Sequence, residues 1–230
     1  MNFYIIVEGD KTEMSVYPAW ISLLAPDYTR IENAWDVNEN NYYIFSGGGI
    51  PSIYTHVKNA VLDINSINSE RESRYDYLLV CLDTEKESRD YILKQIDNEL
   101  QSSGVVLRNA ELLVFEHKVC METWFLGNLV VFKDNPQNPD YLEYIKYYNV
   151  GSLNPEEMGN IDENRFATTA KFHLRYLKRM MEERNMTYSK NNTLEVQQNA
   201  YLQQLIKRYK DTGHIATFGS WYEFVKAHFK

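Results

Sequence analysis

The sequence predicts an α/β fold: a parallel sheet flanked by helices, followed by a C-terminal helical extension. Three observations predict it. Two runs, Phe3–Val7 and Tyr77–Leu82, are apolar or aromatic at every position, as strands buried on both faces are. Stretches with helical spacing separate the strand-like runs up to residue 132, and that alternation builds parallel sheets. From residue 133 the strand signals stop and amphipathic helical patterns take over. The expected division is a sheet-containing catalytic domain over residues 1–132 and a helical extension packed on it over residues 133–230.

Each element has its own local reason. After the first strand, Val16, Trp20, Ile21 and Leu24 have helical spacing, with Thr12 as the expected N-cap and Ala25-Pro26-Asp27 as the stop. A weak strand is expected around Ile31–Val37. Tyr42–Phe45 reads as a strand cut off by Ser46 and three glycines, 47–49, and Pro51-Ser52 then opens a helix through Val57, Val61 and Ile64. Tyr77–Leu82 ends at Asp83-Thr84-Glu85. A helix through Ile92 and Ile96 closes at Ser103-Gly104, and Leu112–Phe115 is the last strand. Trp124–Phe132 reads as a helix-like run. Asn135-Pro136 and Asn138-Pro139 read as turns, 162–186 as one long helix, 194–210 as a second, and Trp221–Phe229 as the last.

The bulk properties exclude several classes. With 230 residues, 44% hydrophobic and 24% charged, the chain has the composition of a soluble globular protein. No window of about 18 apolar residues exists, so no membrane association is expected. The N-terminus enters a strand without a basic segment, unlike a signal peptide. Cys81 and Cys120 make neither a disulfide framework nor a zinc pattern, and a cytoplasmic location is expected. Net charge is −8, but it is unevenly spread. Residues 1–130 hold 10 Lys and Arg against 20 Asp and Glu, whereas 165–210 holds ten basic against three acidic residues. Either a solvated helix face or a phosphate-holding surface explains the basic segment.

Acids follow three strand-like runs: Glu8, then Asp83 with Glu85, then Glu122. Parallel strands bring their carboxyl ends to one edge, where open α/β sheets place ligands. Converging carboxylates repel one another unless a cation lies among them. Oxygen donors without a His or Cys cluster select a hard ion, Mg²⁺ or Mn²⁺, one or two in number. Such ions serve phosphoryl chemistry. The five histidines are scattered. Only His117 lies near these acids, and it is read as a structural histidine. Gly9-Asp10-Lys11-Thr12 carries the end of a phosphate-loop pattern but lacks its first glycine.

Val7-Glu8-Gly9-x-x-Thr12-Glu13, the Gly47-Gly48-Gly49 turn and Leu82-Asp83-Thr84-Glu85 resemble the Toprim domain in motif order and spacing. Cys120-Met121-Glu122-Thr123-Trp124 resembles the corresponding segment of OLD-like and RloB-like Toprim nucleases. The likeness covers residues 1–130 and implies a Toprim-like sheet. By resemblance, Glu8 is a metal ligand and general acid or base, supported by Glu13. Asp83 and Glu85 hold one ion and Glu122 helps hold a second. Glu85 stands where the family usually has Asp and is one methylene longer. Lys118 and Lys86 are read as contacts to phosphate or to transition-state charge. Further substrate contacts are Lys11, the amides of Gly47, Gly48 and Gly49 (or else a tight turn), and Lys171, Arg175, Lys178 and Arg179.

The expected function is a metal-dependent endonuclease cleaving DNA or RNA. The resemblance implies an effector of antiphage defence working with a separate ABC-type ATPase, with homo-oligomerisation open. Two rivals stand beside it: a non-catalytic Toprim-like binding or regulatory subunit, and a metal-dependent phosphatase. A topoisomerase or primase is not expected in a chain of this length.

Overall fold

The central strand, β1 (Phe3–Val7), is buried at all five positions in the computed structural model, which describes residues 1–85 and 87–230. Five consecutive apolar side chains leave it no solvent face. On one side it pairs in parallel with β3 (Asn41–Ser46), placing Ile5 beside Ile44. On the other it pairs in parallel with β4 (Tyr77–Asp83), placing Ile5 beside Leu79. β2 (Thr29–Ile31) runs parallel to β3, and with β5 (Glu111–His117) the order is β2-β3-β1-β4-β5. Parallel neighbours need crossovers. These are made by α1 (Thr12–Leu24), α2 (Ser52–Glu70) and α3 (Arg89–Ser102). The α/β class expected from the strand–helix alternation is therefore the class observed.

The chain leaves β1 toward β3 and β2, then returns to the opposite side as β4. The sheet's switch point thus lies between the carboxyl ends of β1 and β4, where open α/β sheets leave a crevice. Strand alternation sends Tyr4 and Ile6 into a core with Ile53, Val57, Val61 and Ile64 of α2. Phe3 faces the other way and stacks on Phe229 at 3.7 Å between ring centroids.

Two compact units make up the chain: Met1–Glu116 with Glu223–Lys230, and His117–Tyr222. The boundary expected after residue 132 thus falls at 116, one residue before the end of β5. The physical reason is aromatic. α4 (Met121–Phe125) sends Trp124 against Phe218 and Trp221, and Phe125 against Tyr188 and Tyr201. At the other end, Phe224, His228 and Phe229 pack with Phe3, Tyr28 and Tyr77, so the tail belongs with the sheet.

The second unit holds α5 (Pro139–Tyr147), α6 (Thr169–Glu182), α7 (Leu194–Gln197), α8 (Asn199–Thr212) and the start of α9 (Ala216–His228). Asn138-Pro139, expected as a turn, instead starts α5. The Asn138 side chain accepts from the N–H groups of Asp140 and Tyr141, and proline fits the first helical position. The helix expected over 162–186 is shorter: Thr168 caps α6 by accepting from Lys171 N–H, and Asn185 turns left-handed after it. The helix expected over 194–210 breaks at extended Gln198. The strand expected at 31–37 stops at Ile31, and a 3-10 turn spans Ala34–Asp36. No described helix is long and apolar enough to cross a membrane.

Candidate metal centre

Glu8 continues the ladder beyond β1, since its N–H donates to Cys81 O at 3.0 Å. Its carboxylate is held across the switch point: Asp83 N–H donates to Glu8 Oε2 at 2.8 Å. Oε1 lies 4.0 Å from where a Cβ on Gly49 would stand. The glycine turn is closed by its own bonds. Gly47 N–H donates to Val7 O, Gly49 N–H to Glu8 O, and Gly48 N–H to Ser46 Oγ. Gly48 and Gly49 have positive φ, and a Cβ on Gly47 would stand 2.7 Å from Ile53 Cγ1. All three amides are thus satisfied inside the protein. The tight-turn alternative accounts for these glycines, and the phosphate cradle expected of them is not built.

Glu13 sits in the first turn of α1 and is 6% exposed. It reaches inward over Gly9, where a Cβ would come within 2.3 Å of Glu13 Oε2. Gly9 is therefore the residue that lets Glu13 in. One ligand atom from each of Glu13, Asp83 and His117 lies within 4.8 Å of the others. His117 is fully buried and is the last residue of β5, so it occupies the same kind of strand end as Asp83. Its ring meets Trp124 edge to face at 4.6 Å.

The surroundings carry a negative field. Burial, foremost, pushes the Tyr17 phenol well up, and nearby Cys81, Glu13 and Asp83 add to the shift. Burial likewise pushes the Cys81 thiol up to about 12; its hydrogen bond with Tyr17 opposes this and Glu13 reinforces it. Two ionised carboxylates within 4.8 Å repel by about 3 to 4 kcal/mol at an effective dielectric of about 20. A cation among them offsets that repulsion. The donor set of two carboxylates and one imidazole therefore fits a divalent ion. Thr12 does not act as the expected N-cap; Lys11 stands there, and Thr12 is the first helical residue.

The other expected site residues are distributed differently. Glu8 adjoins the cluster through Asp83 but is not one of its three members. Glu85 is exposed at positive φ and is also outside it. Glu122, 2% exposed and outside the three, accepts from Tyr188 OH at 2.9 Å within the second unit. Lys118 pairs with Glu157. Lys11 is exposed. Lys86 lies outside the described residues. Arg179 is held by Asp140 at 3.0 Å and Glu182 at 2.7 Å, which occupies the charge expected to meet phosphate. Lys171, Arg175 and Lys178 line one recess along α6. The residue that sequence reasoning assigned elsewhere is His117. Its position at the close of a strand was the available signal, and the expectation of oxygen donors alone passed over it.

Fold and site together define an α/β protein with a buried carboxylate–histidine cluster at the edge of a parallel sheet. Compared with known protein families, with curated proteins and with solved structures, the chain finds no match in any of the three.

Proposed function

We propose that this chain is a divalent-metal-dependent phosphodiesterase acting on DNA or RNA, with Glu13, Asp83 and His117 as the ion's ligands. The observation that carries the reading is the convergence of those three donors, two buried and one half-buried, at strand and helix ends. Imidazole among the donors favours Mn²⁺ over Mg²⁺ within the hard-ion class. A divalent ion held there supplies neutralisation of phosphate charge and a more acidic bound water. The remaining work falls to Glu8. Its Oε2 is tied to Asp83 N–H, so the carboxylate is oriented to take or return a proton through Oε1, near the glycine turn. The likeness of the Glu8, Asp83 and Glu122 segments to OLD-like and RloB-like nucleases supports a role in antiphage defence beside a separate ABC-type ATPase, with the cytoplasm as the site of action.

The test pairs cleavage with ion binding. Wild type, Asp83→Asn and Glu8→Gln are incubated with Mn²⁺ or Mg²⁺ and a mixture of single- and double-stranded DNA and RNA, and the thermal shift on adding ion is measured in parallel. The expected result is Mn²⁺-dependent cleavage in wild type, reduced at least about 100-fold in both variants. The thermal shift should be lost in Asp83→Asn and retained in Glu8→Gln. Retained shift without cleavage in wild type would identify a non-catalytic metal-binding subunit. Absence of any shift would overturn the metal centre and leave a structural histidine beside two carboxylates.

A further inference from the structure

Away from the carboxylate cluster, the second unit contains a recess of about 430 Å³ lined by Arg165, Phe166, Ala167, Lys171, Leu174, Arg175 and Lys178. Of its four cations, only Arg165 has an ion-pair partner among the described residues. Arg165 is held in place, with its guanidinium 2.7 Å from Glu143 and lying over the Phe166 ring at 5.3 Å. Lys171, Arg175 and Lys178 have no ion-pair partner among the described residues. By contrast, the adjacent Arg179 on the same helix is fully engaged by Asp140 and Glu182. Three cations at i, i+4 and i+7 on α6 therefore face a concavity with nothing to neutralise them. In a protein of net charge −8 such a local cationic cluster is a focus for an anionic ligand.

We propose that this recess binds a compact phosphorylated ligand of about mononucleotide size. Size, wall and flanks carry the assignment. A recess of about 430 Å³ lies in the range that holds small molecules. Phe166, Ala167 and Leu174 give it an apolar wall suited to a base or similar flat group, while the cations meet the phosphates. From Lys171 to Lys178 the cationic stretch runs only about 10 Å along the helix. Asp162 and Glu163 precede it in sequence, and Glu182 and Glu183 follow it. A long polyanion would need a longer basic track, whereas a di- or triphosphate does not. The site is independent of the metal reading, because every lining residue belongs to the second unit and none is a ligand of the cluster.

Calorimetric titration tests the proposal on the full chain in EDTA, which silences any metal-dependent binding. The probes are ADP, inorganic pyrophosphate, adenosine, and single-stranded oligonucleotides of increasing length. ADP and pyrophosphate should bind, and adenosine should bind at least about tenfold more weakly. Arg175→Gln and Lys178→Gln should each weaken ADP by about tenfold or more. Lys207→Gln, which removes a surface partner of Asp211 on α8, should leave binding unchanged. Circular dichroism melts of these solvent-facing variants establish that they fold. Failure of both phosphates to bind wild type would overturn the site, as would binding that survives both α6 substitutions. Affinity and salt slope that climb with oligonucleotide length would replace it with a nucleic-acid track.

Discussion

The carboxylate cluster and the α6 recess are both concentrations of like charge, yet they are assembled in opposite ways. The acids, Glu13 buried and Asp83 half-buried, come from separate segments, with Glu13 on α1 and Asp83 closing β4. The cations are solvent-facing and come from three positions of one helix. Buried charges interact through a low dielectric and are barely screened, so the cluster's occupancy bears on stability as well as on chemistry. Exposed cations are screened, so the recess gains from a ligand but loses little without one. One region is organised by the fold; the other is written along a single amphipathic helix.

The largest effect expected from breaking this contrast is at the cluster. Glu13→Gln removes one of the cluster's three ligand groups while keeping the side chain's size. The stabilisation of about 2.7 kcal/mol that Mn²⁺ gives wild type at 100 times its Kd should disappear. A lower melting point in metal-free buffer, with the Mn²⁺ effect intact, would show that Glu13 is a structural acid.

A second test asks whether burial alone, without a cluster, produces pH dependence. His173 lies on the buried face of α6 with Nδ1 2.8 Å from Thr123 Oγ1 and Nε2 2.9 Å from Met158 O. Burial pushes its pKa down to about 4, against the opposing pull of the Met158 carbonyl. The unfolded chain, with an ordinary histidine near 6.5, binds the proton that the folded chain refuses. Its contribution is therefore complete above pH 6.5 and is lost as pH falls toward 4, reaching about 3 kcal/mol. Denaturant melts across that window should flatten in His173→Gln relative to wild type.

Two smaller effects sharpen the comparison. Gly9→Ala places a methyl where Glu13 Oε2 now sits and should cost about 1 to 3 kcal/mol while weakening the Mn²⁺ shift. Chemical denaturation with and without ion reads both. At the other extreme, Arg179→Gln breaks exposed pairs with Asp140 and Glu182 and should cost about 1 kcal/mol or less, decreasing in high salt. A loss as large as that of Gly9→Ala would mean that the α6 surface is far less screened than its exposure implies.

Much of the fold was legible because its signals are local. β1 and β4 announce themselves as apolar runs, and Gly47–Gly49 as a turn, since φ and close approach at those positions depend on neighbouring residues. The site was half legible. Asp83 and Glu13 were named, but Glu8 serves as a neighbour of the cluster, while Glu85 and Glu122 lie outside it. His117's one local signal, its place at the close of a strand, does not by itself distinguish a ligand from a packed ring. Likewise, nothing within 162–186 tells that Arg179 meets Asp140 while Arg175 pairs with no acid among the described residues.

The sequence by itself determined the α/β class, the strand ends that carry acids, and the basic character of α6, because periodicity and composition act within a few residues. Tertiary structure alone decided which donors converge, that Glu116 rather than residue 132 ends the first unit's main segment, and that Phe229 returns to Phe3. Those outcomes depend on how strands are ordered and which aromatic faces find one another across more than a hundred residues. No local propensity encodes a partner that distant.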